Sequence, residues 1–325
     1  MIAFLKNNYY RISSRKHYIF ISIIMTVISI VAAVYMASKA DAKLSLALIT
    51  QRHTTAIQSK YINFTIMRQK PERYQLILGK YDGIIVDRGN GKFDFETVKG
   101  NDFKNMMRTA VQNPKNFVSE NKGRRGVGSN IIGYVMMFLL IQSVLFMFML
   151  AEDMELGQIK RIAAAPISFF KYLAANFISI LIMIFTPAII TLIIMKVGFA
   201  FDIGFSLAQY AAFLLIISFI GIAFAMFITS LVKTADTANM IGNSVVVLTT
   251  ILAGSFYSFE KGNEFLQRIL WVIPQKDYLY FVQGIEEGKK VYNMFPQLSY
   301  VIIISTALFI FSIVKIKNDY ILKRN

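Results

Sequence analysis

The feature that most constrains this chain is a set of long stretches without a charged side chain. Six stretches, each of about 20 residues or more, lack Asp, Glu, Lys, Arg and His altogether. A helix of about 20 apolar residues, rising about 1.5 Å per residue, crosses the roughly 30 Å hydrocarbon core of a bilayer. The six stretches are Tyr18–Ala37, Ser129–Ala151, Tyr172–Met195, Ile203–Val232, Thr237–Phe259 and Val291–Val314. The sequence therefore predicts an all-α polytopic membrane protein with six transmembrane helices, in agreement with a mean hydropathy of +0.51.

The first and last stretches need a closer definition at their ends. The first follows several basic residues, as the apolar segment of a secretory signal peptide does. It is longer than such a segment, however, and only a weak cleavage site lies near Lys39. We therefore expect an uncleaved first transmembrane helix over residues 18–38. The last stretch begins with polar residues up to Gln297, so its helix is expected to begin near Leu298.

Basic residues in the short connections predict how the chain is oriented. Lys and Arg accumulate in short cytoplasmic loops, whereas long loops cross the membrane largely regardless of charge. With the N-terminus inside, most basic residues of the short connections lie on the cytoplasmic side. We therefore expect a multi-pass protein of a bacterial plasma membrane with both termini in the cytoplasm. The net charge of +16 is explained by these flanks and by anionic lipid, so nucleic acid is not an expected partner.

Residues 1–17 combine apolar and basic side chains. Large aliphatic and aromatic residues alternate with Lys6, Arg11 and Arg15. This pattern is typical of an amphipathic helix that lies on the inner membrane surface before the chain enters the bilayer. An unstructured basic tail is the alternative interpretation.

The connection between the first two stretches, residues 39–128, is too long and in places too apolar for a simple linker. It alternates short strand-like runs with helix-like runs. Strands are predicted over Leu44–Thr50, Tyr61–Met67, Gly83–Asp87 and Phe93–Val98, and helices over Thr54–Ser59, Pro71–Lys80 and Asp102–Gln112. Pro71 is expected in the first turn of its helix. We therefore expect an α/β extracytoplasmic domain inserted between helices 1 and 2, followed by a flexible, basic, glycine-rich connection.

Several kinds of catalytic site are not supported by the sequence. A nucleotide-binding loop requires GxxxxGK[ST], whereas Gly89-Asn90-Gly91-Lys92 has neither the spacing nor the final Ser or Thr and fits a hairpin turn. The chain has two His and no Cys, and neither His belongs to a metal-binding pattern. The six stretches contain no ionisable residue for a proton relay. We therefore expect no enzyme activity, no metal site and no cofactor bound by this chain.

Polar but uncharged residues remain within the predicted helices. Asn239, Asn243 and Thr250 fall in the fifth stretch. Such side chains either hydrogen-bond one helix to another or line a path for a transported molecule. The sequence leaves both interpretations open for these three residues.

A short charged segment, residues 152–168, separates the second and third stretches. It reads Glu-Asp-Met-Glu-Leu-Gly-Gln-Ile-Lys-Arg-Ile-Ala-Ala-Ala-Pro-Ile-Ser. The pattern predicts a surface helix followed by a sharp re-entry into the membrane, with Pro166 setting the turn and Ser168 capping the next helix. An ordinary cytoplasmic loop is the alternative.

This segment resembles the coupling region of permeases of the type-2 ATP-binding-cassette (ABC) exporter group. Their pattern has a Glu two residues before a Gly, a basic residue four after that Gly, and Pro-aliphatic-Ser nine after it. Glu155, Gly157, Arg161 and Pro166 occupy these positions, while Gln158 replaces a frequent Thr. The residues that the resemblance assigns to coupling with an ATPase are Glu152, Glu155, Gly157, Lys160, Arg161 and Pro166.

A second segment, residues 254–290, agrees with this resemblance. In the exporter group, a glycine-containing break after the fifth span precedes short re-entrant helices on the outer side and an aliphatic-Pro pair. Gly254, Ser255 and Pro274 match that arrangement, although the usual Pro near Ser258 is missing. The resemblance thus implies a re-entrant outer segment within a C-terminal region, residues 129–325, that holds helices 2–6.

The resemblance covers most of the chain and implies the permease subunit of an ATP-driven exporter. Its cargo would be a drug, an antimicrobial peptide, a lipid or an ion, with multidrug or antimicrobial-peptide resistance as a corresponding role. The expected partners are a separate cytoplasmic ABC ATPase that binds ATP and Mg²⁺, a second permease chain, identical or related, and membrane lipid. Two other interpretations stay open. One is a membrane-anchored receptor or docking protein acting through its extracytoplasmic domain, and the other is a channel or secondary carrier.

Overall fold

The computed structural model of the chain divides into two compact units. The structure describes residues 1–40, 44–50, 62–77, 81–89, 93–98, 100–112, 126–165, 168–256, 270 and 272–322. The first unit comprises Met1–Ala37 and Arg125–Asn325, and the second comprises Ser38–Arg124. Along the chain, the second unit is thus inserted between two parts of the first.

Helices account for most of the described residues. In chain order they are α1 (Ile2–Ser14), α2 (Lys16–Ala40), α3 (Arg73–Ile77), α4 (Asn101–Gln112), α5 (Val127–Phe146), α6 (Phe148–Glu155), α7 (Gln158–Ala164), α8 (Phe169–Ile193), α9 (Leu207–Leu231), α10 (Ala235–Leu252), α11 (Pro274–Glu286) and α12 (Phe295–Lys317). Short π-helical turns extend α8 over Ile194–Gly198 and α12 over Asn318–Leu322, and a 3₁₀ turn, Val291–Met294, precedes α12. Helices α3 and α4 belong to the second unit.

Five helical segments of the described residues are long and apolar enough to cross a membrane. They are Lys16–Tyr35, Val127–Glu155, Phe169–Gly198, Leu207–Leu231 and Val291–Tyr320. These segments fall on five of the six predicted stretches. Most of α10 falls in the remaining stretch. This helix begins two residues before the stretch and is shorter and more polar than the five segments, with Asp236, Asn239 and Asn243 in its first half. That stretch continues outside the described residues from residue 257. The chain is therefore a polytopic membrane protein, and the sixth span stays a prediction.

The core of the first unit forms around α5. In the segment made of α5 and α6, 72% of the membrane-crossing window is buried, compared with 22% in the segment that contains α12. Small residues let neighbouring helices approach α5 closely. A Cβ on Gly221 of α9 would lie 2.4 Å from Ser143 Oγ, and one on Gly242 of α10 would lie 2.7 Å from Val144. Because lipid provides no hydrophobic drive between helices, such close van der Waals contact stabilises their packing.

Polar contacts add to this packing within the predicted spans. Gln142 of α5 accepts a hydrogen bond from the Ser22 hydroxyl of α2 at 2.7 Å and donates one to Thr26 Oγ1 at 2.9 Å. All three side chains are buried. For Gln142, the structure thus shows the helix-to-helix hydrogen bonds that are the ordinary role of a polar side chain in lipid.

Two predicted helix starts are wrong by a few residues. The last membrane-crossing helix, α12, begins at Phe295 rather than near Leu298, with Pro296 in its first turn. Proline is tolerated there because the first amide groups of a helix have no partner within the helix. In the second unit, α3 begins at Arg73, so Pro71 precedes the helix instead of lying in its first turn.

The second unit contains a four-stranded mixed sheet. Its strands are β1 (Leu44–Ile49), β2 (Ile62–Met67), β3 (Gly83–Asp87) and β4 (Phe93–Glu96), in the spatial order β2-β1-β3-β4. Strand β1 pairs in parallel with β2 and β3, and β3 pairs with β4 in antiparallel orientation. These four strands lie within the predicted strand ranges. The helix predicted over residues 54–59 lies outside the described residues.

Alternating side chains of the sheet build a small core on each face. On one face, Leu46, Leu48 and Ile85 pack with Met107 and Ala110 of α4. On the other, a separate cluster comprises Ala47, Ile84, Tyr81 and Leu76, the last from α3. Helices thus cover both faces of the sheet, which is the arrangement that parallel strands require.

Candidate functional site

The segment that resembles a coupling region forms two helices joined by Leu156 and Gly157. Helix α6 ends at Glu155, and α7 begins at Gln158. Gly157, between them, has φ +66°, in the left-handed region that costs an L-residue with a side chain roughly 1–2 kcal/mol. Among the described residues, no atom beyond the two chain neighbours lies within 4 Å of the position of a Cβ on Gly157. The requirement for glycine at this turn is therefore conformational and not steric.

Helix α7 has one buried anchor and a charged outer surface. Ile159 is fully buried in the core of the first unit, whereas Lys160 and Arg161 are exposed. No hydrogen bond or ion pair links either of these two cations to the described residues. Pro166 lies outside the described residues. Ser168 occupies the N-cap position of α8, but its side chain accepts no capping hydrogen bond, so the predicted cap is wrong.

The acidic residues of the same segment contact other parts of this chain. Glu152 pairs with Arg11 of α1 at 3.3 Å and also with Arg15. Glu155 accepts a hydrogen bond from the backbone amide of Ala235 at 2.9 Å, at the N-terminus of α10. A carboxylate at that position satisfies an amide without a partner in the helix and interacts favourably with the helix dipole. The structure therefore separates the predicted coupling residues into exposed cations and internally paired carboxylates.

A buried polar cluster links α1, α6 and α8 beside the coupling segment. Arg11 Nη1 lies 3.0 and 2.9 Å from the two carboxylate oxygens of Asp153, and Arg11 Nη2 donates to the carbonyl oxygen of Met149 at 3.1 Å. The Tyr172 hydroxyl donates to Asp153 Oδ2 at 2.6 Å. Burial acts to lower the pKa of Arg11, but the neighbouring Asp153 and Tyr172 raise that pKa above its ordinary value. Arg11 therefore stays charged, and we call this group the Arg11–Asp153 cluster.

Further contacts along α1 hold it against α8. Asn8 is buried and donates to Asn176 Oδ1 at 2.8 Å and to Ser179 Oγ at 3.2 Å. Phe4 makes an edge-on contact with Tyr172, with ring centroids 5.5 Å apart. The sequence predicts a helix here, and the structure shows that one of its faces packs on the helical bundle.

Sequence reasoning did not select the members of this cluster. Asn8 and Arg11 are three residues apart and therefore lie on one face of a helix, together with Phe4 and Ile12. A polar pair within an apolar face is a signal that could have identified them. Asp153 follows an uncharged stretch almost directly, but its choice of Arg11 as partner depends on tertiary structure.

The predicted pathway residues all lie on α10, in different surroundings. Asn243 Nδ2 donates to Asn239 Oδ1 at 2.7 Å, within the helix. Asn239 also borders a small cavity at the α6 end of the bundle. Thr250 is fully buried, and its hydroxyl has no hydrogen-bond partner in the part of the chain that the structure describes. The structure thus brings Asn239 and Asn243 together and leaves Thr250 apart from them.

The predicted re-entrant segment is described at both of its ends. Gly254 follows α10 with φ +80°, and the buried Ser255 donates its amide to the carbonyl of Thr250. Pro274 begins α11. Gln275 of α11 donates to Thr249 Oγ1 at 3.0 Å, which ties α11 to α10.

At the opposite end of α11, a carboxylate caps α5. Glu286 accepts hydrogen bonds from the amides of Gly128 and Ser129, at 2.7 and 2.9 Å, and from the Ser129 hydroxyl. A Cβ on Gly126 or Gly128 would collide with Glu286 or Phe205. Only glycine therefore fits where the chain enters α5.

These features define a class of protein. The chain has five segments suited to crossing a membrane, and the second of them leads directly into the two-helix segment with exposed Lys160 and Arg161. Among the described residues, no group of three or more His, Asp or Glu side chains could hold a metal ion. The arrangement is that of a multi-pass membrane protein.

Comparison with known proteins identifies the family. A family model described as ABC-2 family transporter protein matches residues 51–314. The chain therefore belongs to the ABC-2 transporter family, and the resemblance to type-2 ABC permeases is confirmed. Membership identifies a membrane transport component that is not itself the ATPase, and it implies association with an ABC ATPase subunit. No curated protein and no solved structure matches the chain.

Proposed function

We propose that the chain is the permease subunit of an exporter that moves a drug, an antimicrobial peptide, a lipid or an ion out of a bacterial cell. A separate cytoplasmic ABC ATPase, which binds ATP and Mg²⁺, supplies the energy, because this sequence has no phosphate-binding loop. The N-terminus and C-terminus lie in the cytoplasm, and the second unit lies outside the membrane.

One observation carries the proposal: a long buried helical segment ends in a short helix with two exposed cations. The segment Val127–Glu155, 29 residues long, runs through the centre of the bundle. Gly157 then turns the chain into α7, which is anchored by Ile159 and presents Lys160 and Arg161. A movement applied to α7 by a docked ATPase would therefore pass through a tight turn into α6, which continues from α5.

The proposed pathway lies between two permease chains, identical or related, and α10 contributes to it. Met240, Ser244 and Leu248 form an exposed row on α10, spaced by four residues. The same helix carries Asn239 and Asn243, whose side chains are partly buried beside this row. A second permease chain that covers the exposed row would place these two asparagines close to the pathway.

Charge reversal on α7 tests coupling to the ATPase. The planar guanidinium of Arg161 can form forked hydrogen bonds with a carboxylate or carbonyl group on a partner. We expect Arg161→Glu to weaken co-purification with the partner ATPase more than Arg161→Ala does. A desolvated interfacial charge that loses its partner commonly costs about 2–5 kcal/mol. Gly157→Pro should abolish substrate-stimulated ATP hydrolysis, because proline cannot adopt positive φ.

A matched control separates this effect from a general loss of positive charge. Arg88 in the second unit is exposed and pairs with Asp94 on the surface. Arg88→Glu should leave ATPase binding unchanged at equal permease levels. If Arg161→Glu and Gly157→Pro both retain full binding and stimulation, residues 152–168 form an ordinary loop and the proposal fails.

A further inference from the structure

An arginine of this chain occupies a cage of two aromatic rings and a carboxylate. The Arg15 guanidinium carbon lies 4.6 Å from the centre of the Phe148 ring and 5.7 Å from that of Tyr18. The two rings contact each other, with centroids 5.1 Å apart. Arg15 also pairs with Glu152. Aromatic faces together with a carboxylate form a cation-binding environment.

This cage opens into a cavity that contains further polar groups. The cavity is lined by Arg15, Tyr18, Phe148, Glu152, Asp236 and Asn239, among others. The Arg15 side chain is 36% exposed, whereas that of Glu152 is 23% exposed. The cation is therefore the more accessible member of this ion pair.

The local charge favours a positive ligand once Arg15 leaves. Arg11 and Arg15 balance Glu152 and Asp153, so these four side chains sum to zero charge. Without Arg15 the same group carries a charge of −1, and Asp236 adds a second negative charge at the cavity wall. Arg11 is already included in this sum, and it stays engaged with Asp153, Met149 and Glu152.

We propose that this cage is a cargo-recognition site for organic cations, and that Arg15 is its displaceable internal occupant. A guanidinium or ammonium head group would replace the Arg15 side chain over Phe148 and Tyr18, opposite Glu152. The inference rests on the proposed function and narrows its cargo to organic cations.

Direct binding to the permease alone tests the proposal. Isothermal titration calorimetry of the chain in phosphatidylcholine nanodiscs would use hexylguanidinium as the probe and neutral hexylurea as its matched analogue. Wild type should bind hexylguanidinium and not hexylurea. Arg15→Gln should bind hexylguanidinium about tenfold more tightly, because no internal cation has to be displaced. Glu152→Gln in the Arg15→Gln background should abolish this gain.

Two further variants complete the test. Lys16→Gln removes a neighbouring exposed cation outside the cage and should bind like wild type. Phe148→Leu keeps an apolar side chain but loses the ring, and it should bind about tenfold more weakly than wild type. If Arg15→Gln does not fold, Phe148→Leu decides the outcome. Equal binding of hexylurea, or no change in Phe148→Leu, overturns the proposal.

The ATPase plays no part in this measurement. A failure to bind hexylguanidinium therefore leaves the docking role of Arg161 intact. Conversely, a failure of ATPase docking would not alter the calorimetric result, so the two proposals fail independently.

Discussion

At the scale of single residues, Asp153 is the charged side chain on which the structure depends most clearly. Its carboxylate accepts hydrogen bonds from Arg11 and from the Tyr172 hydroxyl, and its side chain is 11% exposed. Removing one partner from a buried charge pair is costly because the remaining charge has lost its compensation. This contact therefore matters more than the exposed ion pairs of the second unit.

We predict that Asp153→Asn lowers the free energy of unfolding by about 2 kcal/mol, the range for hydrogen bonds to charged groups. Chemical unfolding in detergent would measure the change. Asp236→Asn, at an exposed position in the first turn of α10, should cost less than about 1 kcal/mol. The double variant, Arg11→Gln with Asp153→Asn, should lose much less free energy of unfolding than the two single variants lose in sum. Additive losses would show that Arg11 and Asp153 do not act together.

At the scale of secondary structure, α11 has the unusual property of a buried first turn. Gln275, Lys276 and Asp277 are all buried there, and α11 lies outside the five membrane-crossing segments. Burial raises the pKa of Asp277 from 3.8 to about 6, against the opposing effect of Lys276. The folded protein therefore binds this proton more tightly than the unfolded chain does. Stability from this group is present at low pH and is lost as the pH rises through about 6.

We predict that Asp277→Asn, which mimics the protonated form, raises the unfolding temperature at pH 7.5 and has little effect at pH 4. Thermal unfolding in detergent at both pH values measures this. Glu287→Gln is the control with the opposite sign, because the hydrogen bond from Lys289 lowers the pKa of Glu287. Loss of the Glu287 negative charge should slightly lower the unfolding temperature at pH 7.5. A fall in unfolding temperature for Asp277→Asn at pH 7.5 would contradict the assignment.

At the scale of the whole molecule, orientation in the membrane is the property on which the proposed function depends. The distribution of basic residues predicts the second unit and the start of α12 on the outside, with both termini inside. The chain contains no cysteine, so single introduced cysteines are specific probes. They also allow each position to be examined without a background reaction.

We predict that cysteines at Asn105 and Lys290 react with an impermeant maleimide in intact cells, whereas those at Lys160 and Asn318 react only after permeabilisation. All four positions are exposed in the structure, so accessibility within the fold does not limit labelling. Labelling of Asn318→Cys in intact cells, or protection of both outer positions, would reverse the proposed topology and the position of α7.

The sequence alone determined the parts of this protein that depend on local composition. Uncharged stretches identify membrane-crossing helices because a charged side chain is costly in lipid, and the backbone groups there must bond within the helix. Short strand-like runs bounded by turn residues located β1–β4. The spacing of Gly157, Arg161 and Pro166 pointed to the family. The left-handed turn at Gly157 follows from the freedom of glycine.

Only the tertiary structure decided which polar groups meet. Glu152 and Glu155 both belong to the predicted coupling segment. Glu152 pairs with Arg11 of α1 and with Arg15, which lies between α1 and α2. Glu155 caps the N-terminus of α10. The Arg11–Asp153 cluster joins residues 142 positions apart. A buried charge must find its partner wherever the packing of helices places one, and the sequence pattern of a single helix carries no information about that distance. Helix positions are therefore readable from the sequence, whereas the charge pairing that joins them is not.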